Sequence, residues 1–135
     1  MILVYFAASL EAVVGLLLIV SPSFVAEALY GADLSAPGPA LGRFAGTVFV
    51  AFAVACWPEA GTGRRSPAAM RGLLAYNLLA TFYFLFVGLF GEQVGTALWP
   101  VFALHAALTM LLLRAWLTAD VKQRSIGARP AIVRA

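Results

Sequence analysis

The sequence predicts an all-α membrane protein: a four-transmembrane-helix bundle with a short interfacial helix between spans 1 and 2. Three observations carry that prediction. Of 135 residues, 63% are hydrophobic and only 11% are charged, against a usual charged share of about 25% in soluble domains. A soluble domain of this length has no way to hide so much apolar surface. Runs of about 20 apolar residues, the length that crosses a hydrocarbon core of roughly 30 Å at 1.5 Å per residue, occur four times. Finally, the basic residues gather at the ends of those runs and in the tail rather than on any one face.

The first span covers about residues 2–20, MILVYFAASLEAVVGLLLIV with its initial Met, and carries Glu11 at its middle. It lacks the basic leader and the short apolar core of a cleaved signal peptide, although Ala26 and Ala28 form a small-x-small pair after it; a membrane span is the better reading. Ser21-Pro22 stops this helix and starts another, with serine able to cap and proline suited to the first helical position. Residues 23–30 then form a short helix at the membrane surface, ended by Gly31. Pro37, Gly38 and Pro39 break the loop that follows. The second span covers about 40–57, with Gly42 and Gly46 as a small-xxx-small pair through which the chain is expected to meet a second copy or a larger complex. Ser66-Pro67 caps a third span at about 68–90. A fourth covers about 97–117, with Pro100 tolerated in its first turn. Residues 1–125 thus make a single domain, and 126–135 a flexible basic tail.

One cysteine, Cys56, excludes an internal disulfide framework or a cysteine-based metal site within one chain. The net charge of +3 reads as topology and not as nucleic-acid binding. With four crossings both termini share a side. Arg64, Arg65, Arg71, Arg114, Lys122, Arg124, Arg129 and Arg134 lie on that side, and only Arg43 lies near the other. The positive-inside rule therefore places both termini in the cytoplasm. Trp57, Trp99 and Trp116 fall at span ends, where indoles favour the interface.

The pattern Gly15-Leu-Leu-Leu-Ile-Val-Ser-Pro22, then Leu29-Tyr-Gly31, then Arg43-Phe-Ala-Gly46, resembles small four-helix bacterial membrane proteins of the DoxX-like type, in their branch without an assigned function. The likeness covers roughly the first 57 residues. It implies the four-helix fold and a bacterial cytoplasmic membrane. Some members of the wider group are implied to serve as subunits of redox complexes. No redox motif accompanies the likeness here, and it transfers no catalytic residue.

Charged and ionisable groups inside a bilayer cost a few kcal/mol each and mark functional positions by default. Glu11, Arg43 and His105 qualify, with Asn77 as an uncharged companion, and these four are the candidate ligand-binding residues. Glu11 and His105 are the candidates for acid–base catalysis. Arg43 enters the bilayer about 9 Å above Glu11, a gap that a long side chain can cover. Depth alone therefore lets Glu11, Arg43 and His105 converge on one outward-biased pocket. Stripes support interior positions: His105 with Phe102, Thr109 and Leu112, and Asn77 with Thr81, Phe84 and Gly88. The alternatives are structural. Glu11 can stay neutral and donate one hydrogen bond, or pair with Arg43; Arg43 can snorkel to the headgroups; His105 can be a hydrogen-bonded interior histidine. A lone histidine makes no metal site, and nothing supports a haem, so no cofactor is expected. Tyr5, Tyr76 and Tyr83 read as inter-helix hydrogen-bonders or belt residues. The aromatic run Phe82-Tyr83-Phe84-Leu85-Phe86 reads as a lipid-facing or core stripe before it reads as a cavity lining.

Three functions fit these residues. The favoured one is an accessory or hydrophobic-ligand-binding subunit whose partners are lipids, a hydrophobic small molecule or other copies. The alternative is an intramembrane isomerase or cyclase with Glu11 as its acid or base. A small proton-coupled exporter comes third, because the strong basic asymmetry sets a single topology.

Overall fold

The computed structural model describes residues 2–57 and 66–127, with side chains described as far as Thr118. The described residues form five helices: α1 (Ile2–Val20), α2 (Pro22–Tyr30), α3 (Gly38–Ala55), α4 (Pro67–Phe90) and α5 (Leu98–Gly127). Four of them, α1, α3, α4 and the Leu98–Thr118 part of α5, are long and apolar enough to cross a membrane. The exterior agrees. Ile2, Val20, Phe44, Val54, Leu79, Phe90 and Met110 are all more than two-thirds exposed, a surface that water would not tolerate at this density.

Local chemistry explains the helix ends. Ser66 takes the N-cap of α4, its hydroxyl accepting from the Ala69 N–H at 3.3 Å, with Pro67 next in the first turn. Ser21 occupies the corresponding place before α2 but makes no side-chain capping bond, leaving Pro22 to set the start. Gly31 closes α2 in the left-handed region at φ 68°, donating its N–H to the Glu27 carbonyl. The second span begins at Gly38, two residues before the expected position, because Pro39 fits the first turn of a helix as readily as it fits a loop. The last helix continues to Gly127, well past the apolar span. The loop 58–65, with Arg64 and Arg65, and the tail 128–135 lie outside the described residues.

The helices pack as two close antiparallel pairs, α1 with α3 and α4 with α5, and the pairs touch each other far less extensively. Glycine makes the first pair possible. A Cβ on Gly46 would fall 2.5 Å from the Gly15 carbonyl oxygen and 2.9 Å from Ile19, and one on Gly15 would fall 2.8 Å from the Gly46 carbonyl oxygen. Gly42 packs in turn on Pro22. The Gly42–Gly46 face is therefore occupied by α1 and α2 of the same chain. This corrects the expectation that it serves contact with another copy or complex. The small-xxx-small signal reports close backbone approach, and an intramolecular neighbour satisfies it equally well.

At one end of the bundle the two pairs share a core of Val4, Ala7, Ala8, Cys56, Ala69, Met70, Leu73 and Leu112. This is the end that holds the α1 N-terminus. At the other end α2 ties the pairs together. The loop before α5 donates to it, Gly95 N–H to the Leu29 carbonyl at 3.0 Å and Ala97 N–H to the Ala28 carbonyl at 2.8 Å. The Tyr30 and Tyr83 hydroxyls lie 3.4 Å apart beside this junction. Burial, with Tyr83 adjacent, holds the Tyr30 phenol well above its ordinary range, so it stays neutral.

Candidate functional site

Three of the polar residues singled out above lie inside the bundle. Glu11 is 2% exposed, Asn77 0% and His105 7%. Arg43 is exposed. The Gly15–Gly46 contact fixes the register of α1 against α3. That register puts Arg43 level with Leu18, about 10 Å along the helix from Glu11. Arg43 is not among the neighbours of the Glu11 carboxyl. The expected three-residue pocket is thus corrected: depth brought Arg43 within reach of Glu11, but its azimuth turns it outward, where its stem can lie along the apolar surface and its head can reach the interface.

Tyr76 is the residue that joins the others, and it was read from sequence only as a hydrogen-bonder or belt tyrosine. Its hydroxyl stands beside the Glu11 carboxyl. Its ring meets the His105 ring edge-on, with centroids 5.6 Å apart. Phe49 and Phe52 of α3 close its remaining sides at 5.6 and 5.4 Å. One side chain of α4 therefore touches all three other spans, at the level where the helix pairs meet. Tyrosine suits that place because a large apolar ring fills the seam while its hydroxyl reaches a polar partner.

His105 is held from two sides. Its Nδ1 lies 2.9 Å from Asn77 Oδ1, and Phe84 stacks on the ring at 5.5 Å and 23°. Asn77 is itself fixed, since its Nδ2 donates to the Leu73 carbonyl at 2.8 Å, one turn back along α4. Thr81 donates to the Asn77 carbonyl at 2.7 Å, and Thr109 donates to the His105 carbonyl at 2.8 Å. The two threonine hydroxyls face each other at 3.4 Å. The two stripes read from the sequence, one on α4 and one on α5, are the two faces of this contact. The aromatic run divides: Phe82, Tyr83 and Phe86 are more than half exposed, whereas Phe84 turns inward onto His105.

The arrangement is a polar strip across an apolar seam, running from Glu11 on α1 through Tyr76 to His105 and Asn77. It offers a carboxyl, a phenol and an imidazole near the middle of the candidate membrane spans. Among the described residues, no three His, Cys, Asp or Glu side chains stand close enough to hold a metal ion. Comparison of the chain with family models, curated proteins and solved structures finds no match, so this strip is interpreted on its own chemistry.

Proposed function

We propose that the protein is an accessory, ligand-holding subunit of a bacterial cytoplasmic membrane, with both termini inside the cell, and that it takes up a hydrophobic molecule at the seam between its helix pairs. The observation that carries this reading is the meeting of Glu11, Tyr76 and His105 where the pairs join. Pockets for apolar ligands pair apolar walls with a few well-placed polar groups. Here Phe49, Phe52 and Phe84 supply the apolar surface, packed about Tyr76 and His105. The resemblance of the first 57 residues to DoxX-like proteins bears on the bacterial cytoplasmic membrane alone and not on the ligand. Arg43 has no part in the site.

The test is native mass spectrometry of the purified protein beside its Glu11→Gln variant. A small molecule carried by the wild type and lost from the variant is the expected result. Bare chains, or the same lipids on both samples, would sink the reading.

A second reading is an intramembrane isomerase or cyclase. The specific observation in its favour is that Tyr76 stands between Glu11, beside its hydroxyl, and His105, against its ring, two groups able to exchange protons. Any substrate captured in the first experiment can be recovered and examined for conversion.

A further inference from the structure

The hydrogen bonds around His105 fix what its open side can recognise. Asn77 Nδ2 donates to the Leu73 carbonyl, which orients the amide so that Oδ1 faces the histidine. An amide oxygen only accepts, so His105 Nδ1 carries the proton. In the neutral ring Nε2 then holds a lone pair and can only accept. Among the described residues Nε2 meets no donor or acceptor, and none of their enclosed side-chain nitrogens or oxygens is left without a partner. The 7% of His105 that remains exposed therefore includes this nitrogen. The ring belongs to the stripe of α5 that runs through Leu98, His105, Leu108 and Leu112, all of them buried, and it sits between the Phe84 face and the Tyr76 edge.

Depth narrows the ligand further. His105 lies seven residues inside the Leu98–Thr118 span, about 10 Å below its outer end. Lipid headgroups do not reach that level. A group that meets Nε2 there must be a donor on an otherwise apolar molecule. Its surroundings are the stacked Phe84 ring and the edge of Tyr76, which favour a slim, neutral donor such as a hydroxyl.

We infer that the seam selects apolar molecules bearing a neutral hydroxyl, an alcohol or a phenol, whose proton is accepted by His105 Nε2 while Asn77 holds the opposite nitrogen protonated. The inference rests on the seam-binding reading above and specifies its ligand.

His105 is the single histidine of the chain, so isotope-labelled histidine read by nitrogen NMR reports on this ring alone. The experiment uses the full chain in phosphatidylcholine nanodiscs at mildly alkaline pH, titrated with n-dodecanol and, separately, with its methyl ether. Before titration Nδ1 is protonated and Nε2 bare. Dodecanol shifts the Nε2 resonance saturably and binds up to about tenfold more tightly than the ether, the worth of one neutral hydrogen bond; the ether leaves Nε2 unmoved. A free protein with the proton on Nε2 overturns the inference. Equal binding of both probes with Nε2 unmoved also overturns it, yet leaves the seam as a binding site. Failure of both probes to bind removes the seam reading and the inference together.

Discussion

Asn77 has both ends of its amide engaged near the middle of the Pro67–Phe90 span, one on its own helix and one on His105. The bond to His105 is what sets the imidazole's tautomer. Asn77→Ala is expected to lower unfolding free energy by about 1–2 kcal/mol, measured by denaturant titration in bicelles, because it leaves a buried ring nitrogen without its partner. It should also split the histidine nitrogen signals between two tautomers. A single unchanged tautomer in that variant would contradict the assignment. Glu11, Asn77 and His105 were legible in the sequence because polar side chains are rare inside spans and each stood alone on an apolar stretch. Tyr76 was not, since tyrosine is common both in belts and in cores and nothing in its neighbours tells the two apart. Arg43 was misplaced for a related reason. Counting residues gives height above the membrane centre, but the direction in which a side chain points depends on helix packing that one sequence does not display.

At the scale of the element, the glycines of α1 and α3 carry the clearest consequences. Gly46→Ala would push a methyl group into the Gly15 carbonyl and the Ile19 backbone. The helices must move apart, and a loss of about 1–3 kcal/mol is expected from overpacking alone. Gly72→Ala is the control. A Cβ there would meet Phe52 at 3.5 Å, an ordinary contact, so the gain in helix propensity should leave the protein as stable as before or up to about 1 kcal/mol more stable. Thermal unfolding of the two variants side by side separates a packing glycine from an incidental one; equal effects would count against the close α1–α3 approach. The helix boundaries themselves were largely readable, because Ser66-Pro67, Gly31 and the proline clusters act through local chemistry. The partner of the Gly42–Gly46 face was not readable, since a small-residue stripe records how near a backbone comes without recording whose it is. The length of α5 escaped the hydropathy pattern too, as its last turns are charged and helical at once.

On the scale of the whole molecule, two tight pairs are joined by a shared apolar core near the α1 N-terminus, by the clasp of α2 on the loop before α5, and by the polar strip between them. The proposed orientation makes a direct prediction. In a Cys56→Ser background, Asp33→Cys should react with a membrane-impermeant thiol reagent on intact cells, and protection of that cysteine until the cells are opened would reverse the topology. The four-span plan was legible from composition and run length alone, because the bilayer imposes one length and one polarity on every crossing. The pairing of the helices was not, since lipid-facing and partner-facing apolar residues look alike in a sequence.

The reading of a polar strip that crosses the seam depends on the contact between Glu11 of α1 and Tyr76 of α4, and a double-mutant cycle tests that contact most directly. Unfolding free energies of the wild type, Glu11→Leu, Tyr76→Phe and the double variant would be measured in phosphatidylcholine bicelles. A coupling of about 0.5–2 kcal/mol, with the double variant less damaged than the sum of the singles, is the expected result. Strict additivity would mean that the two side chains do not meet, and the site built on their meeting would have to be abandoned.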